Sequence, residues 1–364
     1  MTAFATPVVL FVFNRPAKLM RLLAVLEKVR PTLLLVVADG PRADRPGDAA
    51  ACEAVRALVE RPAWPCEVRR HYAAANLGCD PCIAAGIDWA FGQVEEAIFL
   101  EDDLLPDPSF FAWCAAMLAR YRGNDKVLQV AGRNELARWD VSRDAMGGDH
   151  HLIHRVSQLG WATWRSAWQA AGRIGLPGDP AAIGGKALRG SLDPLVAQHF
   201  VMLHRLAVEG PVHGWDNQWA LRCAMLGGLS VVPPVNLVAH AGFDAEATHT
   251  RFVADLRGLQ PVGEAPAPVP GFVAEPDARL DRWALLLDLM ATYREPRMLA
   301  RLARRPGLLR DHRLRHHLAP FAMPAESLAA LRHLRRFATD PAALDPLIGL
   351  LQGLPGAFSA GESP

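Results

Sequence analysis

The chain has 364 residues, a formal charge of +1 and 51% hydrophobic residues, enough for one large domain or one and a half with an ample core. A balance so close to neutral gives no global attraction to nucleic acid, and the longest apolar run, about eight residues near Val8 to Phe13, falls far short of the roughly twenty that span a bilayer. The first residues lack the basic region of a secretory leader, and the six scattered cysteines suit reduced thiols, so the expectation is a cytoplasmic protein.

Pro7 to Phe13 is β-branched and aromatic, which predicts a central strand, and Asn14-Arg15-Pro16 breaks it. Leu19, Leu22, Leu23 and Leu26 then share one face of a helix over 17–29. Thr32 to Ala38 is a second apolar strand running into Asp39-Gly40-Pro41-Arg42, Asp48 to Glu60 a helix, and Cys66 to His71 a third strand. After Asn76-Leu77-Gly78 comes a helix from about Pro81 to Phe91. The pair Cys79 and Cys82 has redox spacing, but with no second pair to hold zinc it reads as two small residues in a helix's first turn.

Ala97 to Leu100 is a short apolar strand that ends in Glu101-Asp102-Asp103 and restarts as a helix, with Asp107 placed to cap it and Pro108 at its first position. Three carboxylates at the end of a buried strand repel one another and lose solvation, so a positive partner is expected there: a divalent cation, an arginine, or water at an open cleft. A solvated acidic loop is the plain alternative. The alternation of strands and helices implies a doubly wound, mostly parallel sheet flanked by helices, whose ligands bind at the carboxyl ends of the strands. Four strands end in polar groups: Asn14 with Arg15, Asp39 with Arg42, Asn76, and Glu101 to Asp103. No G-x-G-x-x-G follows the first strand and no P-loop is present, which disfavours a dinucleotide or a P-loop nucleotide site. What remains is a nucleotide site with an acid for the base or ribose and a metal for the diphosphate.

Lys126 to Val130 predicts a strand, and 135–150 a polar loop. Trp161, Trp164 and Trp168 fall at i, i+3 and i+7, which predicts one face of a helix. Such a stripe serves a core or stacks on a sugar. Trp215-Asp216-Asn217-Gln218-Trp219 follows a turn at His213-Gly214 and opens a helix to about Leu226. Asp216 there is an N-cap or a general base. Leu229 to Val232 reads as a strand and Asn236 to His240 as extended, leading to the loop that holds His249. From about 256 to 279 the chain is a Pro/Gly-rich, semi-rigid linker. Beyond it, Leu280 to Tyr293, Arg297 to Arg305, Ala325 to Phe337 and Asp340 to Leu351 predict a helical C-terminal region over 280–364, strongly basic between Arg294 and His317. A solvated face explains that run, with docking to anionic lipid or to a partner protein as further readings.

Taken in order, Phe13-Asn14-Arg15-Pro16, Asp39-Gly40-Pro41-Arg42, Asn76-Leu77-Gly78-Cys79, Glu101-Asp102-Asp103 with Phe110-Phe111, Gly160-Trp161-Ala162-Thr163-Trp164, Trp215-Asp216-Asn217-Gln218-Trp219, Asn236-Leu237-Val238 and Ala247-Thr248-His249-Thr250 resemble the GT-A-fold nucleotide-sugar glycosyltransferases. The likeness is to the bacterial family-two-like group and, more distantly, to N-acetylglucosaminyltransferase I. It spans about residues 7 to 250 and implies a GT-A domain over 1–255.

The resemblance implies a metal-dependent transferase, inverting, that moves a sugar from a nucleotide-diphosphate sugar to a glycan, lipid-linked or protein acceptor in cell-surface glycan synthesis. Asp103 matches the direct ligand of Mn²⁺ or Mg²⁺, with Glu101 beside it and His249 as a second ligand after the sheet; His240 is a weaker candidate. Arg15, Asp39, Asn76 and Asp102 match nucleotide-sugar contacts, Trp161, Trp164 and Trp215 the acceptor side, and Asp216 the catalytic base. Where many relatives carry a basic residue after Asn76-Leu77-Gly78, this chain has Asp80-Pro81. The basic C-terminal helices would then bring the protein to the inner face of the membrane. The rival readings are a non-catalytic sugar-binding or scaffolding protein that keeps the fold, and a sugar nucleotidyltransferase, disfavoured because no glycine-rich basic loop follows the first strand.

Overall fold

The computed structural model describes residues 3–135, 148–172, 200, 214–241, 262–278, 280, 281 and 284. His249, most of the expected loop over 135–150, and nearly all of the expected C-terminal helices lie outside the described residues.

The strand β1 (Val8–Val12) is buried along its whole length, as an uninterrupted apolar run must be when both sheet faces are covered. It pairs in parallel with β2 (Leu33–Ala38) on one side and β4 (Glu96–Glu101) on the other. Between β1 and β2, α1 (Pro16–Val29) begins on Pro16 and buries Leu19, Leu22 and Leu26, the spacing expected of one helical face. The next helix, α2 (Asp48–Glu60), occupies the predicted residues. β3 (Glu67–Tyr72) is the partly exposed edge strand beside β2, and α3 (Cys79–Phe91) starts on the first cysteine of the pair.

After β4, two residues, Asp102 and Asp103, separate it from the short β5 (Leu104–Pro106). Asp107 then accepts the backbone N–H and the hydroxyl of Ser109 at 2.9 and 2.6 Å, so it caps α4 (Ser109–Tyr121) as its residue type suggests. The chain continues through β6 (Val127–Ala131), β7 (His151–Ile153) and β8 (Trp161–Trp164), then α5 (Arg165–Ala171), α6 (Trp215–Met225), β9 (Leu229–Val232) and β10 (Val238–His240). Among the described residues the main sheet has eight strands in the order β3-β2-β1-β4-β8-β6-β9-β7, with β8 and β7 antiparallel to the others. Among the described residues β10 pairs with β5 alone, as a separate antiparallel ribbon. The molecule is thus a mixed α/β protein with a large, mostly parallel sheet. Strands β2 and β3 lie on one side of β1 and β4 on the other, so the winding reverses between β1 and β4, which is where ligands bind in open sheets of this kind.

The predicted helix through Trp161, Trp164 and Trp168 is corrected by the structure. Trp161 to Trp164 is strand β8, inserted between β4 and β6, and the helix begins only at Arg165. Three positions apart on a strand, Trp161 and Trp164 face opposite sides of the sheet. Trp161 packs its ring 4.8 Å from Phe99, 5.6 Å from Trp219 and 5.9 Å from Trp215, while Trp168 stacks on Trp219 at 5.2 Å.

The described part of the Pro/Gly-rich segment expected as a linker, residues 262–278, is fastened to this body, as is Asp281 at the start of the expected C-terminal helices. Gly263 donates its N–H to Asn236 O, Ala265 to Ser109 Oγ and Val269 to Asp149 Oδ2. Phe272 packs edge-on against His150 at 5.3 Å. Gly148 makes room for that ring, since a Cβ there would run into it. Asp277 donates its N–H to Leu152 O, and the Asp281 carboxylate accepts the backbone N–H groups of His154 and Arg155 and pairs with His154 Nδ1. The segment therefore runs along β7, the edge strand of the sheet, a position that needs covering. No helix among the described residues is long and apolar enough to cross a membrane.

Candidate functional site

Where β1 ends, Pro16 forces the chain into α1 and leaves Phe13, Asn14 and Arg15 at the carboxyl edge of the sheet. Beside them β4 ends in its acids. Phe13 donates its N–H to Asp102 Oδ2 at 3.1 Å, and Arg15 Nη1 reaches Asp102 Oδ1 at 3.3 Å and Asp103 Oδ2 at 2.9 Å. One guanidinium thus bridges two neighbouring carboxylates, the arginine partner that the acidic run required. Asp102 and Asp103 are both buried.

Asp39, at the end of β2, is fully engaged. Oδ1 accepts the N–H groups of Gly40 and Leu77 at 2.7 and 2.8 Å, and Oδ2 accepts Asn76 Nδ2 and the N–H of Gly78 at 2.9 and 3.1 Å. The other Asn76 amide hydrogen goes to Gly40 O at 3.0 Å. Asp39 therefore ties the loop leading into α3 to the end of β2, and Asn76 lines the cleft from that loop. Next to it, Arg42 grips Asp48 through Nε at 2.6 Å and lies over the Phe13 ring at 5.3 Å. Asn14 Nδ2 joins the same carboxylate at 2.8 Å. The Arg42 hydrogen bonds, with help from Asn14, hold the Asp48 carboxyl down at about 2.

The acids repel one another. Burial, with the Asp103, Asp102 and Asp216 carboxylates adding to it and Arg15 opposing, pushes Glu101 up to about 8. Burial also raises Asp102 to about 6 against the pull of Arg15. Asp103 Oδ1 is buried with no hydrogen-bond partner among the described residues. His240 Nε2 lies 3.8 Å from that oxygen. The ribbon of β5 and β10 places it there, pairing His240 with Leu104, while Ala241 donates its N–H to Asp103 O at 2.8 Å. Burial lowers the His240 pKa, with Asp103 pulling it the other way.

Arg15, Asp39, Asn76, Glu101, Asp102 and Asp103, all singled out in the sequence, line one cleft of about 380 Å³, and His240 lines it too. That volume suits a small-molecule site. Among the described residues no three His, Cys, Asp or Glu side chains stand ready as metal ligands. What the cleft offers a cation is the open Asp103 Oδ1 with an imidazole near it. Magnesium and manganese are commonly held by one or two carboxylates, with waters and substrate phosphates completing the shell. The donor set fits that mode and does not form an all-protein cage.

Asp216 is exposed in the first turn of α6. It does not line the cleft, but its charge reaches Glu101 and Cys79, which do. Trp161, Trp164 and Trp215 are all buried, and the contacts around Trp161 and Trp215 are those of core aromatics. Cys79 and Cys82 occupy the first turn of α3 as expected. Burial pushes the Cys82 thiol up to about 12, and partial desolvation with the nearby carboxylates takes the more exposed Cys79 to about the same value, so neither is a thiolate at neutral pH. Sequence reasoning missed Asp80. Its carboxylate accepts the N–H of Trp215 at 3.0 Å, a contact between residues 135 positions apart that no local pattern signals.

An α/β protein with an acid-lined cleft at the switch point of a mostly parallel sheet is the class that fold and site define. No known family profile matches the chain, and no curated protein matches it. A solved structure of the mannosyltransferase PcManGT from Pyrobaculum calidifontis, in complex with GDP-Man and Mn²⁺, is similar at a TM-score of 0.34 and 12% identity, covering 62% of this chain and 74% of that one. A likeness of that degree carries no argument about activity or ligand.

Proposed function

We propose that the chain is a metal-dependent, inverting glycosyltransferase that uses a nucleotide-diphosphate sugar. The observation that carries this reading is the convergence of Arg15, Asp39, Asn76 and Glu101 to Asp103 in one cleft at the reversal of the sheet. Asp39 and Asn76 shape the loop against which the nucleoside rests, and Phe13 and Arg42 line the same cleft. Asp102, fixed by Phe13 and Arg15, faces the ribose and diphosphate. Asp103 would hold Mn²⁺ or Mg²⁺ through its open Oδ1, near His240. When bound, the cation offsets the negative charge that develops on the departing diphosphate.

Asp216 acts on the other reactant. Its exposed carboxylate, near Glu101 and Cys79, takes the proton of an acceptor hydroxyl as that oxygen forms its bond to the anomeric carbon. The electron pair of the broken bond leaves with the diphosphate, and Asp216 holds the proton. The acceptor is a glycan, a lipid-linked glycan or a protein hydroxyl.

The test is calorimetric titration with UDP and with GDP, in Mn²⁺ and then in a chelator, on wild type and Asp103→Ala. Binding of one nucleotide that needs Mn²⁺ and is lost in Asp103→Ala supports the reading. No binding of either nucleotide in any condition overturns it and leaves a non-catalytic protein of similar fold.

A further inference from the structure

We infer that Asp80 is a positioning residue for Asp216, fixing the start of α6 against the turn of α3 that walls the nucleotide cleft. The inference rests on the reading of Asp216 as the acceptor base and deepens it by naming what places that base.

The start of a helix leaves N–H groups without intrahelical partners. In α6 the residue before the helix is Gly214, and no side chain at that cap position serves these groups. Asp80 Oδ1 supplies the acceptor instead, at 3.0 Å from the N–H of Trp215, the first residue of α6. The turn is tightly made. Gly214 has φ +139°, a conformation that favours glycine. A Cβ on Gly214 would run into Asp216 Oδ1 and lie 2.9 Å from Asn217 Nδ2, so the carboxylate of Asp216 folds back over the turn. On the far side, Gln158 Nε2 stands 3.4 Å from Asp216 O. The Trp215 ring packs against Trp161, 5.9 Å between centroids.

Asp80 is equally well placed on the donor side. It lies in the first turn of α3, one residue after Cys79, which lines the cleft, and two after Gly78, whose N–H is held by Asp39. A continuous set of contacts therefore runs from Asp39, through the loop at 76–78, to Asp80, to the N–H of Trp215 and so to Asp216. Anything that settles the nucleotide loop also settles the base, and the spacing between the two reactants depends on that tether. Misplacing a reacting group by about 1 Å costs on the order of a hundredfold in rate, so even a small slip of the α6 start is visible in turnover.

The experiment compares wild type, Asp80→Ala and Asp80→Asn in the full chain by amide hydrogen exchange of the segment 214–220 and by Mn²⁺-dependent nucleotide titration. A third arm follows release of nucleoside diphosphate from UDP-glucose, UDP-N-acetylglucosamine and GDP-mannose, with water as the acceptor. Loss of the cap in Asp80→Ala should speed exchange at 214–220 about five- to tenfold. The same change should lower turnover about tenfold at unchanged KM, with nucleotide Kd within about twofold of wild type. Asp80→Asn keeps an oxygen that accepts the Trp215 N–H and should stay within about threefold of wild type in exchange and turnover. Unchanged exchange in Asp80→Ala overturns the inference, and so does a fall in turnover matched by loss of nucleotide binding, the signature of general structural damage. A wild type that binds no nucleotide defeats the glycosyltransferase reading itself, while the exchange arm still decides whether Asp80 holds α6.

Discussion

Arg15 Nη1 lies 2.9 Å from Asp103 Oδ2, and with that one contact the loop after β1 is joined to the loop after β4 across the reversal of the sheet. The same nitrogen also serves Asp102 at 3.3 Å, so Arg15 is a shared counter-charge for acids that would otherwise repel at close range. Removing one partner of a buried ion pair leaves the other charge uncompensated. Because Arg15 is partly exposed, solvent softens the loss, and Arg15→Gln should lower stability by about 2 kcal/mol in urea unfolding in the presence of a chelator. Added Mn²⁺ should restore part of it by supplying the missing charge. A variant as stable as wild type in the chelator would mean that the acids are neutral or fully solvated.

The acids also set a pH dependence. Glu101 and Asp102 are raised to about 8 and about 6, from unfolded values near about 4. A carboxyl that binds its proton more tightly when folded gives the native state more protons than the unfolded one, so stability falls as pH rises between those values. The free protein should therefore melt several degrees lower at about pH 8.5 than at about pH 5.5. Below about pH 4 the trend reverses, since the Asp48 carboxyl, held at about 2, loses its bonds to Arg42 there. Mn²⁺ favours the ionised acids and should flatten the decline at alkaline pH. Thermal melts in chelator and in Mn²⁺ at several pH values check both signs.

Much of this architecture was legible because its elements announce themselves locally. Asp48 to Glu60 carries helical spacing with an acid at its start, and the run from Val8 to Val12 is too apolar to be anything but a covered strand. The polar residues closing the first four strands converge because parallel strands carry their ends to one edge. What stayed hidden depends on pairing at a distance. The ribbon of β5 with β10 is three residues a side, too short for a periodic signal, yet it brings His240 to Asp103. The tryptophan stripe misled for another reason. Trp161 to Trp164 is buried on both sides, and a segment without a polar face shows no period by which strand and helix can be told apart. Asp39 lines the cleft, but the four bonds that its carboxylate makes to Gly40 and to the loop at 76–78, nearly forty positions on, carry no local signal.

That loop supplies a further prediction. Asp39→Asn replaces a two-oxygen acceptor with one oxygen and an NH₂, which confronts donors from Asn76 and Gly78. At least two of the four hydrogen bonds are lost, and a buried donor is left unmet, so the change should cost about 2 to 3 kcal/mol. Nucleotide affinity should fall at the same time, on the order of tenfold, because the loop at 76–78 loses its fixed position. Asn76→Ala removes only the two bonds of Nδ2 and should lose less stability. Chemical unfolding together with nucleotide titration of both variants separates the loop's structural part from its part in binding.

The segment 262–281 offers the last and most direct check on how the chain is divided. If it were a linker between independent parts, cutting its attachments would leave the stability of the α/β body unchanged. The contacts argue otherwise: Asp281, itself buried, accepts two backbone N–H groups next to β7 and pairs with His154. Asp281→Ala strands those two donors on the edge of the sheet and should destabilise the whole unit by about 2 to 3 kcal/mol. The loss should appear as an earlier urea midpoint at an unchanged slope, because the segment and the sheet unfold together. Limited proteolysis of the folded variant should cut first within 262–281, before any site in the sheet, since local release of the segment becomes the easiest opening. An unaltered midpoint combined with rapid cleavage there would mean that the segment docks without contributing to the fold it covers.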